Sequence, residues 1–209
     1  SLSSTLAASS FAESSAVGTI IATFSASDPE LSTINWSLSG TDSSKFSIAS
    51  DGTLTLSSSL DYETKDTYNV VINVSDGDNT VSQGLIISAT NVNEALSLSS
   101  TLVSNSFAET SVVGATIATS SATDPENATI SYTLSGIGSD KFSVSSDGTV
   151  TLSSSLDYES TTSYNLTLTA SDGTNSTNSS FTVSVTNVDL NLSSSLVSSS
   201  QNENISTGT

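Results

Sequence analysis

The chain has no cysteine, no histidine and no methionine, and among its 209 residues only two prolines, one tryptophan and three basic side chains. Without cysteine there is no disulfide, so cysteine usage says nothing about redox compartment. With neither histidine nor cysteine, zinc lacks its preferred ligands. A serine nucleophile would also lack a base, which argues against an enzyme. Lys45, Lys65 and Lys141 face 21 acidic residues, giving a net charge of −18. A surface of that sign repels nucleic acid and anionic membranes and favours bound cations. No apolar run approaches the roughly 18 residues that suggest a membrane span, and there is no N-terminal signal pattern. An internal piece of a longer protein would lack both, so these two absences exclude nothing.

What is abundant is serine and threonine, enough to raise disorder as a reading. Against disorder stand six Phe, five Tyr and one Trp. Period-two alternation in Thr53-Leu54-Thr55-Leu56 and Phe181-Thr182-Val183-Ser184-Val185 also argues against it. The chain is a repeat. Phe11-Ala12-Glu13 returns as Phe107-Ala108-Glu109, and Asp28-Pro29-Glu30 as Asp124-Pro125-Glu126. Leu60-Asp61-Tyr62-Glu63 returns as Leu156-Asp157-Tyr158-Glu159, Ser75-Asp76-Gly77 as Ser171-Asp172-Gly173, and Asn91-Val92 as Asn187-Val188, all 96 positions apart. Leu192 to Val197 echoes Leu98 to Val103 at a shift of 94. The expected organisation is therefore two full repeats, 1–94 and 95–189, each large enough for its own core. Residues 190–209 read as the truncated start of a third in a longer array, too few to bury a core alone and expected to be mobile or docked on a neighbour.

Within the first copy the pattern predicts seven short strands at 10–14, 17–26, 34–38, 45–48, 53–56, 68–74 and 85–89, with the Asp51-Gly52 dipeptide as a tight turn. Seven short strands with turn signals between them imply an all-β protein of tandem seven-stranded antiparallel Greek-key β-sandwiches, immunoglobulin-like in outline. Trp36 and its counterpart Tyr132 are expected to be core aromatics.

Strand parity turns motif positions into geometry. If each strand reverses direction, Glu13, Asp61, Glu63, Asn91, Asn93 and Glu94 all lie at the far end of the first copy. Asp124, Glu126 and Asp172 then lie at the near end of the second. Seven carboxylates (Glu13, Asp61, Glu63, Glu94, Asp124, Glu126, Asp172) would converge, and no lysine is placed by the sequence to neutralise them. Within the two full repeats only six acids, Asp42, Asp51, Asp66, Asp78, Asp140 and Asp147, fall outside the motif positions. Oxygen ligands in irregular array suit Ca²⁺, which accepts about six to eight, better than Mg²⁺ with its strict octahedron.

The ordered motifs resemble the cadherin repeat: a Glu after the first strand, a DxD-like Asp-Pro-Glu, Leu-Asp-Tyr-Glu, Ala-Ser-Asp-Gly, and a DxNDN-like Asn91-Val92-Asn93-Glu94-Ala95. The resemblance covers both copies. It implies calcium ligands at Glu13, Asp61 and Glu63 of the first copy and at Asn91, Glu94 and the Asn93 carbonyl of the linker. From the second copy it implies Asp124, Glu126, Asp172 and the Asn127 backbone. Two or three Ca²⁺ would sit at that junction, because Asn91, Glu94, Ala95 and Glu126 depart from the family's residues. An upstream half-site (Asp28, Glu30, Asp76) and a downstream one (Glu109, Asp157, Glu159, Asn187, Asp189) would be completed by neighbouring repeats. The Ser/Thr-rich, Cys-free, Lys-poor style resembles repeats of large bacterial surface adhesins. The resemblance thus implies a calcium-rigidified extracellular spacer, on a cell surface or secreted. Its alternative is an adhesive module, homophilic or glycan-binding. A scaffold within an extracellular enzyme would need a catalytic domain elsewhere. No partner in nucleic acid or membrane is expected.

Overall fold

Alternating apolar and hydroxyl side chains leave few ways to bury the apolar set except on one face of a strand. In the computed structural model, which describes residues 1–30 and 33–189, that face becomes the inside of a sandwich. The first repeat runs β1 (Leu2–Leu6), β2 (Ser10–Ala12), β3 (Ile20–Ala26), β4 (Asn35–Ser39), a 3₁₀ turn (Ser43–Lys45), β5 (Phe46–Ile48), β6 (Thr53–Leu56), β7 (Thr67–Ser75) and β8 (Thr80–Thr90). They form two four-stranded sheets, ordered β1-β3-β6-β5 and β2-β8-β7-β4.

The all-β sandwich is as expected, with one amendment. The predicted strand at 10–14 is β2 (Ser10–Ala12), and an eighth strand, β1, precedes it in the other sheet: β1 pairs antiparallel with β3, whereas β2 pairs parallel with β8. The β1 segment, Leu2–Leu6, carries three serines and threonines in five residues and gave no apolar alternation to read. The predicted strand at 85–89 is the inner half of β8, whose outer half is largely exposed. Lys45 belongs to the 3₁₀ turn.

The second repeat has the same order: β9 (Ser97–Leu102), β10 (Ser106–Ala108), β11 (Thr116–Thr123), β12 (Ser131–Ser135), a 3₁₀ turn (Ser139–Lys141), β13 (Phe142–Val144), β14 (Val150–Leu152), β15 (Ser163–Ser171) and β16 (Ser176–Thr186). Its sheets are β13-β14-β11-β9 and β10-β16-β15-β12. The chain divides into two compact units. Among the described residues, one is 1–97 with 122–131 and 170–177; the other is 98–121, 132–169 and 178–189. The expected start of a third repeat, 190–209, lies outside the described residues.

Each repeat has its own core. Ile21, Leu54, Leu56, Ile72 and Ile87 are fully buried in the first, and Ile117, Leu152, Leu166, Leu168 and Val183 in the second. Each such side chain contributes about 1.5–3 kcal/mol. A bulge at Ile20/Ala22 breaks the inside–outside alternation, so the adjacent Ile21 and Ala22 both point inward. Thr116/Ala118 repeats the device for Ile117 and Ala118. Trp36 and Tyr132 pack against their cores from the edge as partly buried rings, and Trp36 is tilted against Phe24 at 6.2 Å. The Asp-Gly turns need glycine twice over. Gly148 has φ +83, and a Cβ there would lie 2.5 Å from the Ser120 carbonyl oxygen.

Candidate functional site

The parallel β2–β8 pair organises the acidic site. Its register matches Ala12 with Thr90, so the next residues, Glu13 and Asn91, emerge at the same end. Glu13 is only 4% exposed. Its Oε1 accepts the Val92 N–H at 2.7 Å and its Oε2 accepts the Tyr62 N–H at 2.7 Å. One carboxylate thereby ties the segment after β8 to the loop between β6 and β7. That loop is braced by Asp61, whose Oδ1 accepts the Thr64 N–H at 2.8 Å. The Tyr68 hydroxyl donates to the Asp61 carbonyl at 3.0 Å. Glu63 accepts from the Asn91 side-chain amide at 3.1 Å.

The same compact unit contains Asp124, Glu126 and Asp172. The Glu94 N–H donates to Glu126 Oε1 at 2.9 Å, and the Asn93 side chain donates to Asp172 Oδ2 at 3.0 Å. Asn175 was not singled out from the sequence. Its side-chain amide donates to the Glu94 carbonyl at 2.7 Å and the Asn93 carbonyl at 3.3 Å. The signal was available, since Asn175 repeats Asn79 at the 96-residue offset. Asn127, expected to offer its backbone, stands at φ 57 in a turn where its N–H donates to the Asp124 carbonyl at 3.1 Å. Asparagine tolerates that left-handed conformation better than most residues.

Carboxylate oxygens fall within 4.8 Å of one another in two sets, Glu13/Asp61/Glu63 and Glu63/Glu94/Glu126, with Glu63 common to both. Their protonation reflects the crowding. Loss of water and the neighbouring Glu126, Glu13 and Glu63 push Glu94 up to about 7. Glu63 is raised by desolvation and then by the charges of Glu13 and Glu126. Glu126 is held low, chiefly by the Glu94 backbone N–H. The Asn93 amide and the N–H groups of Thr174 and Asn175 hold Asp172 low. Two oxygens, Asp124 Oδ2 and Glu126 Oε2, are buried with no hydrogen-bond partner. Lys65 is committed to Asp42 at 2.6 Å. Asp61 is held low chiefly by the Thr64 N–H and hydroxyl, and last by the charge of Lys45, whose ammonium donates to the Ser59 carbonyl at 2.7 Å.

Downstream, Glu109, Asp157 and Glu159 form a third set within 4.8 Å. Glu109 accepts the Val188 N–H at 2.7 Å and the Tyr158 N–H at 3.2 Å, as Glu13 does for Val92 and Tyr62. Asn187 and Asp189, on either side of Val188, are exposed. Upstream, Asp28, Glu30 and Asp76 line one cavity with Ser1 and Leu2.

A model of the cadherin domain matches residues 8–89 and again residues 104–189. The chain belongs to the cadherin family. The mouse cadherin EGF LAG seven-pass G-type receptor 1 is 34% identical over 170 residues, 77% of this chain and 6% of that receptor. Human protocadherin Fat 4 is 32% identical over 171 residues, 76% of this chain and 3% of that protein. The chain thus spans only a few per cent of the length of these curated relatives. The solved structure of human protocadherin-24 EC1-2 superposes on the cadherin domains with a TM-score of 0.61 at 24% identity, covering 83% of this chain and 91% of that one. Cadherin domains are extracellular adhesion modules. Among the described residues no helix is long and apolar enough to cross a membrane.

Proposed function

We propose that the chain is a stretch of calcium-stiffened spacer, with repeats bounded at 1–94 and 95–189 and two or three Ca²⁺ held between them. The observation that carries this reading is the pair of buried, partnerless oxygens, Asp124 Oδ2 and Glu126 Oε2, in a unit that also crowds Glu13, Asp61, Glu63 and Glu94 together. A buried acceptor without a donor is unfavourable unless a cation completes it. The donor set is all oxygen, which fits Ca²⁺ and disfavours zinc. The ligands would be Glu13, Asp61, Glu63, Asn91, the Asn93 carbonyl, Glu94, Asp124, Glu126, the Asn127 backbone and Asp172. Bound there, calcium supplies the positive charge that the carboxylates lack. The chain's own part is to hold those groups ready: Glu13 pins the segment after β8, and Asn175 and Glu126 grip the backbone of Glu94. The half-sites at Asp28, Glu30 and Asp76, and at Glu109, Asp157, Glu159, Asn187 and Asp189, would serve neighbouring repeats in the same way.

The proposed setting is outside the cell, in an array of such repeats that carries a distal binding module. The Cys-free, Lys-poor, Ser/Thr-rich composition supports a large bacterial surface adhesin as the parent, while the similar proteins named above are animal. Weak affinity, on the order of 10⁻⁴ to 10⁻³ M, would fill the sites outside a cell only. A calcium titration followed by small-angle X-ray scattering, with Glu63→Ala as control, tests the reading. Millimolar Ca²⁺ is expected to lengthen and stiffen the particle in the parent chain but not in the variant. Dimensions indifferent to Ca²⁺ and EDTA would remove calcium from the account. A doubled mass would make the chain an adhesive module, homophilic in kind.

A further inference from the structure

Hydrogen-bond parity leaves part of β8 with an open edge. The Ala89 N–H donates to the Asp66 carbonyl at 2.8 Å and the Asp76 N–H to the Asn79 carbonyl at 3.3 Å. Between these bonds the β7–β8 register runs unbroken, from Thr67 opposite Ser88 to Ser75 opposite Thr80. Bonded residues alternate along an antiparallel pair, so the odd-numbered residues of β8 face β7 and the even-numbered ones face away. Among the described residues β2 covers that far side only from Ser88 to Thr90. The backbone groups of Thr80, Ser82, Gly84 and Ile86 are left without a strand partner.

Little along this edge discourages pairing. Strand edges are ordinarily kept apart by lysine, proline, inward charge or a bulge. Thr80–Thr90 holds none of the 21 acids, none of the three lysines and no proline, and its register with β7 has no bulge. At the middle of the open stretch stands Gly84. Its φ is not positive, and a Cβ there would meet nothing within 4 Å, so its own repeat has no need of glycine. A glycine inside a strand weakens it and often marks the close approach of another backbone. Two residues on, Ile86 is 67% exposed.

A second copy of the chain fits this edge. Two β8 strands running antiparallel about a two-fold axis at Gln83 set Thr80 against Ile86 and Ser82 against Gly84 of the second copy, and symmetry repeats each match. All four open positions are then used. A shift towards β2 would set Thr80 against Ser88, which β2 already holds; a shift the other way would set Asp78 against Ile86. The matched register puts a β-branched threonine beside Ile86. It puts the bare Gly84 beside Ser82, whose hydroxyl is already bonded to the Asn73 side chain at 2.7 Å. Charge favours the same occupant. Each copy carries −18, and this uncharged stretch lets two such chains meet without opposing like charges.

We infer that β8 of the first repeat is a lateral docking edge for β8 of a second copy, joined in that register. Thr80–Ile86 is far shorter than the roughly 20–30 residues per side of a standard interface, so a single contact is weak. Chains lying side by side in an array multiply it. No cation takes part, and the inference goes beyond the spacer reading without resting on calcium.

The test uses the full chain in EDTA. NMR spectra taken from about 0.05 to about 1 mM, the range of a weak contact, are expected to show the amide signals of Thr80, Ser82, Gly84 and Ile86 moving with concentration. Those of Ile72 and Leu168 are expected to stay. Because the chain has no cysteine, disulfide trapping reads the register. An equimolar mixture of Ser82→Cys and Gly84→Cys, mildly oxidised at about 1 mM, is expected to give the mixed disulfide in about tenfold excess over either homodimer, against about twofold for random collision, since matched positions lie within disulfide reach. Gly84→Pro removes an outward N–H and spares the β7 ladder. Gly84→Glu sets like charges across the axis at a site where a Cβ has open space. Both variants are expected to abolish the concentration dependence. Signals that do not move up to about 1 mM, shifts confined to another surface, or a mixed disulfide in random proportion would each overturn the inference. Failure of calcium to stiffen the particle would leave the result unchanged, because no metal is present.

Discussion

Glu13 and Glu109 make the same two backbone hydrogen bonds, 96 residues apart, and each gathers an Asp and a Glu from the following Leu-Asp-Tyr-Glu motif. The triad is therefore a local product of one repeat: a parallel β2–β8 or β10–β16 pair sets the Glu beside the closing segment, and the motif loop folds over it. The first cluster differs in what joins it. Glu94 and Glu126 share Glu63 with the first triad, and from that crowding come the raised Glu94 and the partnerless oxygens. A triad alone is a set of acids satisfied largely by their own loops; the enlarged cluster leaves acceptors that the chain cannot satisfy.

The comparison breaks most readily at Glu63. Glu63→Gln is expected to weaken the tightest calcium binding by at least about 10–100-fold, whereas Glu159→Gln, its counterpart, is expected to change it less than threefold (~0.7 kcal/mol). Isothermal titration of the two variants decides; equal losses would mean that the clusters are equivalent.

The repeats also differ away from the acids. Asp42 accepts from Lys65 and from the Asn69 N–H, while its counterpart is Gly138 at φ +79 and Lys65 becomes Thr161. Asp42→Ala is expected to destabilise the first repeat by about 1–2 kcal/mol, after discounting the partly exposed lysine, and to leave the second untouched. Amide exchange read separately at Ile72 and Leu168 would show it.

A smaller, pH-dependent effect sharpens the contrast in the metal-free chain. Glu94 rises from 4.5 to about 7 in the folded state. Between those values the folded chain holds more protons than the unfolded one, so stability falls as pH rises from about 4.5 to 7 and then levels. Asp157 is lowered, chiefly by the Ser160 hydroxyl, and its contribution is lost only as pH falls below its ordinary value. Urea midpoints in EDTA should therefore be higher at pH 5 than at pH 8, and Glu94→Gln should flatten the difference. The smallest effect is expected at Ile137, which is 93% exposed. Its replacement by Thr should change stability by less than about 0.5 kcal/mol.

Much of this was legible beforehand. The 96-residue repeat, the alternation in Thr53–Leu56 and the Asp-Gly turns carry the sandwich, because side-chain period and turn chemistry are local properties. Strand parity sent Glu13, Asp61, Glu63 and Asn91 to one end for the same reason. Strand β1 was hidden, since Leu2–Leu6 is too rich in hydroxyls to show an inward face. Asn175 was passed over because it lies just beyond the Ser171-Asp172-Gly173 motif, and its role depends on which backbone carbonyls it meets.

By itself, then, the sequence determined the 96-residue repeat, most of the strand pattern within each copy, and the acidic character of the loops. Only the tertiary structure decided that β2 runs parallel to β8, that Glu13 is buried between two backbone donors, and that Asp124 and Glu126 each keep an oxygen without a partner. Those facts depend on which distant backbone groups meet, and hydrogen-bond satisfaction between residues 32 or 79 positions apart is set by packing, with no trace in local pattern.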